Sequence, residues 1–186
     1  TILRSDLDSE MTVVRNEMEM GENNPGRTLL YQVMATMYQW HNHGKAIIGA
    51  RTDVENVDIP RLQAFYRLYY QPDNATLIVS GRFDEARTLG WIAQFFGPIP
   101  RPTRTLQPTY TLDPAQDGER TITLRRVGGN PLINVAYHVT SGSHPDFAAV
   151  QVLASVIGDG PGSQLHERLV QRQLAASAFG FAWGLE

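Results

Sequence analysis

Cysteine is absent from this sequence of 186 residues. Its absence excludes disulfide bonds, thiolate metal sites and a cysteine nucleophile. Any zinc site in the chain must therefore be built from histidine, aspartate and glutamate.

Basic clusters and long apolar runs are also missing. The 16 basic residues include a single lysine, Lys45, and the formal net charge is −3. A chain without a basic face cannot neutralise a phosphate backbone, so we expect no nucleic-acid partner. No apolar run approaches the roughly 18–20 residues that a membrane span requires. The remaining composition, 42% hydrophobic and 19% charged, is ordinary for a globular protein.

Hydrophobic periodicity predicts both helices and strands. The predicted helices cover about residues 6–20, 28–40, 58–71, 84–96, 146–157 and 163–170, and the predicted strands cover 75–81, 120–126, 132–139 and 175–183. We expect Asp58, Asp84, Asp146 and Ser163 to lie at helix starts, and the apolar helix 146–157 to be buried. The elements mix without the strict alternation of βαβ units, which predicts an α+β fold.

A proline-rich stretch separates two parts of the chain. Four prolines, Pro98, Pro100, Pro102 and Pro108, fall within eleven residues. This density is typical of a stiff, extended linker. We therefore expect a boundary here, with residues 1–100 before it, a linker over 101–119 and a second part over 120–186.

Two glutamates occupy unusual positions on the first predicted helix. At about 100° per residue from Met11, Glu10 and Glu17 fall near 260° and 240°, inside an apolar arc of about 200–360°. They are seven residues apart, so both point the same way roughly 10 Å apart along the axis. Buried carboxylates are costly unless they are paired or bind a cation. These helical-wheel positions leave three possibilities open for the two glutamates: a metal role, a buried pair with Arg51 or Arg82, and a helix edge that stays exposed to solvent.

The ordered motifs of the chain resemble one protein family. The matching segments are Ser9–Pro25, Trp40–Gly49, Leu62–Gly81, Phe95–Pro100, and Ser163–Leu169 followed by Leu174–Ser177. In this order they are similar to the pitrilysin/insulinase (M16) zinc metallopeptidases, whose signature is H-x-x-E-H. The resemblance implies helices packed on a mainly antiparallel sheet, parts of two consecutive repeats, and a bacterial zinc metalloendopeptidase that hydrolyses peptide bonds with metal-activated water.

The resemblance also implies roles for the two glutamates. Glu17 corresponds to the third zinc ligand, and Glu10 to a supporting acid at the catalytic site. The sequence contains no H-x-x-E-H, so the chain resembles an internal fragment. We expect zinc in the full-length parent but none in this fragment, which should be inactive. The alternative is a non-catalytic M16-like subunit with a structural or substrate-presenting role.

The remaining expectations concern histidines, partners and compartment. His41 and His43 are two residues apart in a predicted loop, which is more typical of a surface or packing feature than of a metal pair. His138 lies opposite the apolar face of its predicted strand, and His144 is a turn residue before Pro145. His166 is not part of a zinc motif, because no second histidine lies three or four residues away. The resemblance implies a peptide or small protein substrate and the rest of the parent chain as partners, and exposed strand edges predict self-association or homodimerisation.

Neither end reads as a natural terminus, Leu185-Glu186 could be a cloning scar, and a periplasmic location is slightly favoured over a cytoplasmic one.

Overall fold

The computed structural model describes residues 3–185, without the side chain of Arg4. The α-helices are α1 (Arg4–Glu22), α2 (Pro25–Met37), α3 (Arg51–Asn56), α4 (Ile59–Tyr69), α5 (Glu85–Phe96) and α6 (Phe147–Gly158). Two 3-10 turns, Asn42–Gly44 and Pro72–Asn74, and a π-helical turn, His166–Val170, complete the regular structure of this range. In it, no helix is both long enough and apolar enough to cross a membrane.

Short polar side chains start several of these helices. The side chains of Asn24, Asp58 and Asp84 accept hydrogen bonds from backbone N–H groups in the first turns of α2, α4 and α5. Each bond satisfies one of the donors that a helix start leaves unpaired. The helix starts predicted at Asp58 and Asp84 are confirmed. Asn24 and Pro25 open α2 three residues before its predicted start at about residue 28.

The predicted α+β fold is wrong: residues 3–185 contain helices but no strand, so there is no sheet for the helices to cover. The four predicted strands have no regular secondary structure. A strand requires a neighbouring chain that pairs its N–H and C=O groups, and β propensity largely reflects packing on such a surface. Here most side chains of the predicted strands are exposed, including Ile78 at 81% and Ile133 at 91%. Self-association through strand edges loses its basis for the same reason.

The chain divides into two compact units, Thr1–Asn134 and Val135–Glu186. In the first unit, α1 packs against α2 and α3, and α2 against the 3-10 turn that follows it. Leu7 and Met18, each 6% exposed, form the buried centre of α1. The assignment of residues 1–100 and 120–186 to two successive repeats stays a prediction.

The second unit is built around α6. Phe147 is buried at its start, but Val152 is 65% exposed and Leu153 58% exposed, so the prediction that this helix is buried is wrong. Asp146 precedes the helix without a side-chain capping bond, whereas the predicted cap at Ser163 is confirmed by its hydroxyl, which accepts from His166 N at 3.3 Å. At the other end of α6, Gly180 N donates to Gly158 O at 3.1 Å.

Replacing Gly158 by alanine should destabilise the second unit. A Cβ at this position would collide with the backbone of Gly180, which cannot rotate away as a side chain could. Overpacking of this kind typically costs about 1–3 kcal/mol. Gly162→Ala is the matched control, because a Cβ there meets nothing within 4 Å. Urea unfolding of both variants tests this, and equal midpoints would contradict the close approach.

Candidate functional site

The buried stripe of α1 is narrower than its apolar arc. It consists of Leu7, Met11, Val14, Met18 and Gly21, which are buried or half-buried. Leu3 and Val13 belong to the arc but are 53% and 58% exposed.

Glu10 and Glu17 lie outside that stripe and are both exposed. Of the three environments that the helical wheel left open, a solvent-exposed helix edge describes Glu10 and Glu17 best. Their placement on a core-facing surface was wrong, because Val13, which lies near 200° on the helical wheel and is 58% exposed, had widened the predicted arc. Both carboxylates are consequently accessible to a ligand from outside the helix.

Arg27 is the charged neighbour of Glu17. Its Nη2 lies 4.0 Å from Glu17 Oε1, and the Glu17 side chain is 61% exposed. Arg27 Nε donates to the Tyr31 hydroxyl at 2.8 Å. An exposed pair at this distance contributes about 0–1 kcal/mol. The partner of Glu17 is therefore neither Arg51 nor Arg82, and the pairing is weak enough to leave the carboxylate available.

Arg51 instead fastens α3 to the last turns of α1. Its guanidinium donates to Glu19 Oε1 at 3.3 Å and to Glu22 Oε2 at 3.1 Å. These two hydrogen bonds raise the pKa of Arg51 above its ordinary value. Sequence reading missed these contacts, because α3 was not predicted and nothing local connects residues about thirty positions apart.

The described residues do not form a complete metal site. Within residues 3–185, no group of three or more histidine, aspartate and glutamate side chains is placed to hold a metal ion. Glu10 and Glu17 supply carboxylate oxygens, a donor type that zinc accepts, but not the nitrogen donors of a three-ligand site. The described residues therefore offer zinc a suitable type of donor atom but too few donors for a complete site.

His41 and His43 form a packed turn. Their ring centroids are 4.1 Å apart, and His43 N donates to His41 Nδ1 at 3.2 Å. The ring of Tyr38 meets that of His43 edge-on at 5.3 Å. One nitrogen of His41 is thus used by the backbone, which agrees with the packing interpretation of this pair.

Asp113 holds the segment before this turn, and sequence reading missed it. Its carboxylate accepts from Gln39 N at 2.6 Å, Trp40 N at 2.9 Å and His41 N at 3.0 Å. Desolvation opposes ionisation, but the three backbone donors outweigh it and lower the pKa of Asp113 below its ordinary value. Burial, and then the charge of Asp113, raise the pKa of Tyr38. No sequence signal links partners more than seventy positions apart.

Comparison with known proteins identifies the family. Residues 56–183 match the family described as "Peptidase M16 inactive domain". The chain is 29% identical to "Zinc protease PqqE" of Helicobacter pylori over 85% of this chain and 36% of that protein. It is 24% identical to "Probable mitochondrial-processing peptidase subunit beta" of Schizosaccharomyces pombe over 98% of this chain and 42% of that protein.

A solved structure is similar as well. "The crystal structure of a protease from Helicobacter pylori" matches with a TM-score of 0.87 and 26% identity, over 100% of this chain and 46% of that one. The chain thus spans less than half the length of these relatives. Because the family match covers more than two thirds of the sequence, the chain belongs to the M16 peptidase family.

Proposed function

We propose that the chain is part of a zinc-dependent metalloendopeptidase that hydrolyses peptide bonds of peptides or small proteins with metal-activated water. In the full-length parent, Glu17 is the third zinc ligand and Glu10 a supporting acid of the catalytic site. The remaining ligands come from an H-x-x-E-H motif that this sequence does not contain. The isolated chain accordingly binds no zinc and cleaves no peptide.

The placement of Glu17 carries the proposal. Its carboxylate is exposed on the side of a regular helix, one residue before a buried anchor, Met18. A rigid helix fixes the position of a ligand better than a loop does. Among the residues that the structure describes, its one charge partner is Arg27 at 4.0 Å, so the carboxylate can turn to a metal without breaking a strong ion pair.

Glu10 supports the proposal from the same helix. It stands two helical turns before Glu17 on the same side, roughly 10 Å away along the axis. A carboxylate there is too far to share one metal ion with Glu17 through the helix alone. It is suited to orienting a ligand or to adding negative potential at the site, the role of an outer-shell acid.

Removal and return of zinc test the proposal. The full-length parent should hydrolyse a peptide substrate, lose the activity on treatment with a chelator, and recover it when zinc is added. The metal supplies the activated water, so no hydrolysis should remain in its absence. Activity that survives complete removal of the metal would contradict the proposal.

A non-catalytic subunit is the second candidate. The observation that favours it is the match of residues 56–183 to a domain described as inactive. In that case the full-length parent would neither bind zinc nor cleave peptides by itself, but would raise the activity of a catalytic partner. Assays of the purified parent, alone and mixed with an active homologue, separate the two candidates.

A further inference from the structure

The segment of residues 104–126, which includes most of the predicted linker (101–119) and all of the predicted strand 120–126, is bonded to other parts of the first unit. Four of its side chains make these bonds: Arg104, Asp113, Arg120 and Arg126. Residues 104–126 are called the strap below. Each of its four contacts reaches a different place on the unit.

The first contact is at the end of α4. Arg104 donates to the two carboxylate oxygens of Asp73 at 2.6 and 2.8 Å, and its Nε donates to Leu68 O. The Arg104 side chain is only 17% exposed. The hydrogen bonds from Arg104 lower the pKa of Asp73, so this carboxyl is ionised and the two-pronged pair is complete at neutral pH.

The second contact is that of Asp113 with three successive backbone N–H groups at residues 39–41. These donors lie between the end of α2 and the His41–His43 turn, where the helix no longer supplies acceptors. A half-buried carboxylate bonded to three amides forms charge-assisted hydrogen bonds. Pro114 follows directly and restricts the backbone of Asp113 to extended conformations, so little freedom is lost when the contact forms.

The third and fourth contacts lie at helix ends. Arg120 Nη1 donates to Thr36 O, in the last turn of α2, at 2.7 Å. Arg126 Nη1 donates to Glu22 O, the last residue of α1, at 2.7 Å, and to Thr28 Oγ1 in α2 at 3.2 Å. Both guanidinium groups bind carbonyls that a helix end leaves without intrahelical donors, where a positive charge is also favoured.

We infer that the strap is a fixed structural clamp and does not act as a flexible linker. It holds residues 39–41, at the start of the His41–His43 turn, and the junction of α1 and α2 in place. The contacts at residues 104, 113, 120 and 126 are spread along its whole length, so no free stretch longer than eight residues remains between them. Release of one contact should loosen the element that it holds while the rest of the unit stays folded. This inference does not depend on the proposed peptidase activity.

Amide exchange in Asp113→Asn, followed residue by residue by NMR on the full chain, tests the inference. The amide side chain is neutral and has one acceptor oxygen where the carboxylate has two. We expect the amides of Gln39, Trp40 and His41 to exchange about 10- to 100-fold faster, the range for loss of a hydrogen bond to a charged group. Asp117→Asn is the matched control, an exposed aspartate in the same strap. Unchanged exchange at residues 39–41 in Asp113→Asn would overturn the inference.

Limited trypsin digestion of the unaltered chain provides a test without a variant. A flexible linker would be cut first, at Arg104 and Arg120. A clamp predicts that these bonds are cut no faster than the bond after Arg172, an exposed residue of the second unit. Preferential early cleavage within residues 104–126 would refute the clamp even if Asp113→Asn failed to fold.

Discussion

Replacement of Glu17 by glutamine should abolish peptide hydrolysis by the full-length parent. Glutamine keeps the size of the side chain but lacks the negative charge that a zinc ligand contributes. We expect kcat/KM to fall by more than the roughly 100-fold that loss of an outer-shell partner of a metal costs. Steady-state kinetics with a fluorogenic peptide measures the effect.

The control for this prediction is Glu19→Gln on the same helix. Glu19 is bound to Arg51 and faces away from the proposed site, so its replacement should leave kcat/KM nearly unchanged. The kcat/KM of Glu10→Gln should lie between those of the Glu17 and Glu19 variants, about 10- to 100-fold below that of the unaltered protein. Equal activity of the Glu17 and Glu19 variants would exclude Glu17 from the catalytic machinery.

Met18→Ala should produce the largest loss of stability in the first unit. Met18 is 6% exposed and anchors α1 between its neighbours, so truncation leaves a cavity. Truncation of a buried methionine typically costs about 2–5 kcal/mol in the free energy of unfolding. Thermal or urea unfolding of the chain, monitored by circular dichroism, measures this loss.

Met20→Ala is its matched control. Met20 lies two residues further along α1 and is 73% exposed. Its truncation removes little buried surface, and we expect a change within about 0.5 kcal/mol. A similar loss in both variants would show that α1 does not pack through the stripe that contains Leu7 and Met18.

Local signals in the sequence predicted the helices well. Asp58 and Asp84 mark helix starts because an aspartate side chain can bond the backbone of the first turn whatever lies further away. Helix α3 was missed, since a helix of six residues is too short to show a periodic apolar face. At Asp146, a residue type that often caps does not do so.

Features that depend on distant partners could not be predicted in the same way. The alternating residues of 132–139 suit a strand, but their pattern does not say whether a neighbouring strand is at hand. The contacts of Asp113 and Arg126 join residues more than seventy and one hundred positions apart. Family motifs could be recognised because each is contained in one short segment.

The position of Glu17 depends both on local helix geometry, which the sequence predicts, and on distant packing partners, which it does not. Helical geometry correctly put Glu10 and Glu17 on one side of α1. It could not tell whether that side faces the core, since this depends on which apolar residues meet α2 and α3. The structure places Leu7 and Met18 in that role and leaves the two acids accessible.

Zinc content of the full-length parent tests the central claim most directly. The unaltered protein and Glu19→Gln should each bind one equivalent of zinc, and Glu17→Gln should bind far less under the same conditions. A chelator competition titration extends the comparison to affinity. Loss of zinc confined to the Glu17 variant is the predicted result, and equal zinc content and affinity in all three proteins would contradict the assignment of Glu17 as a ligand.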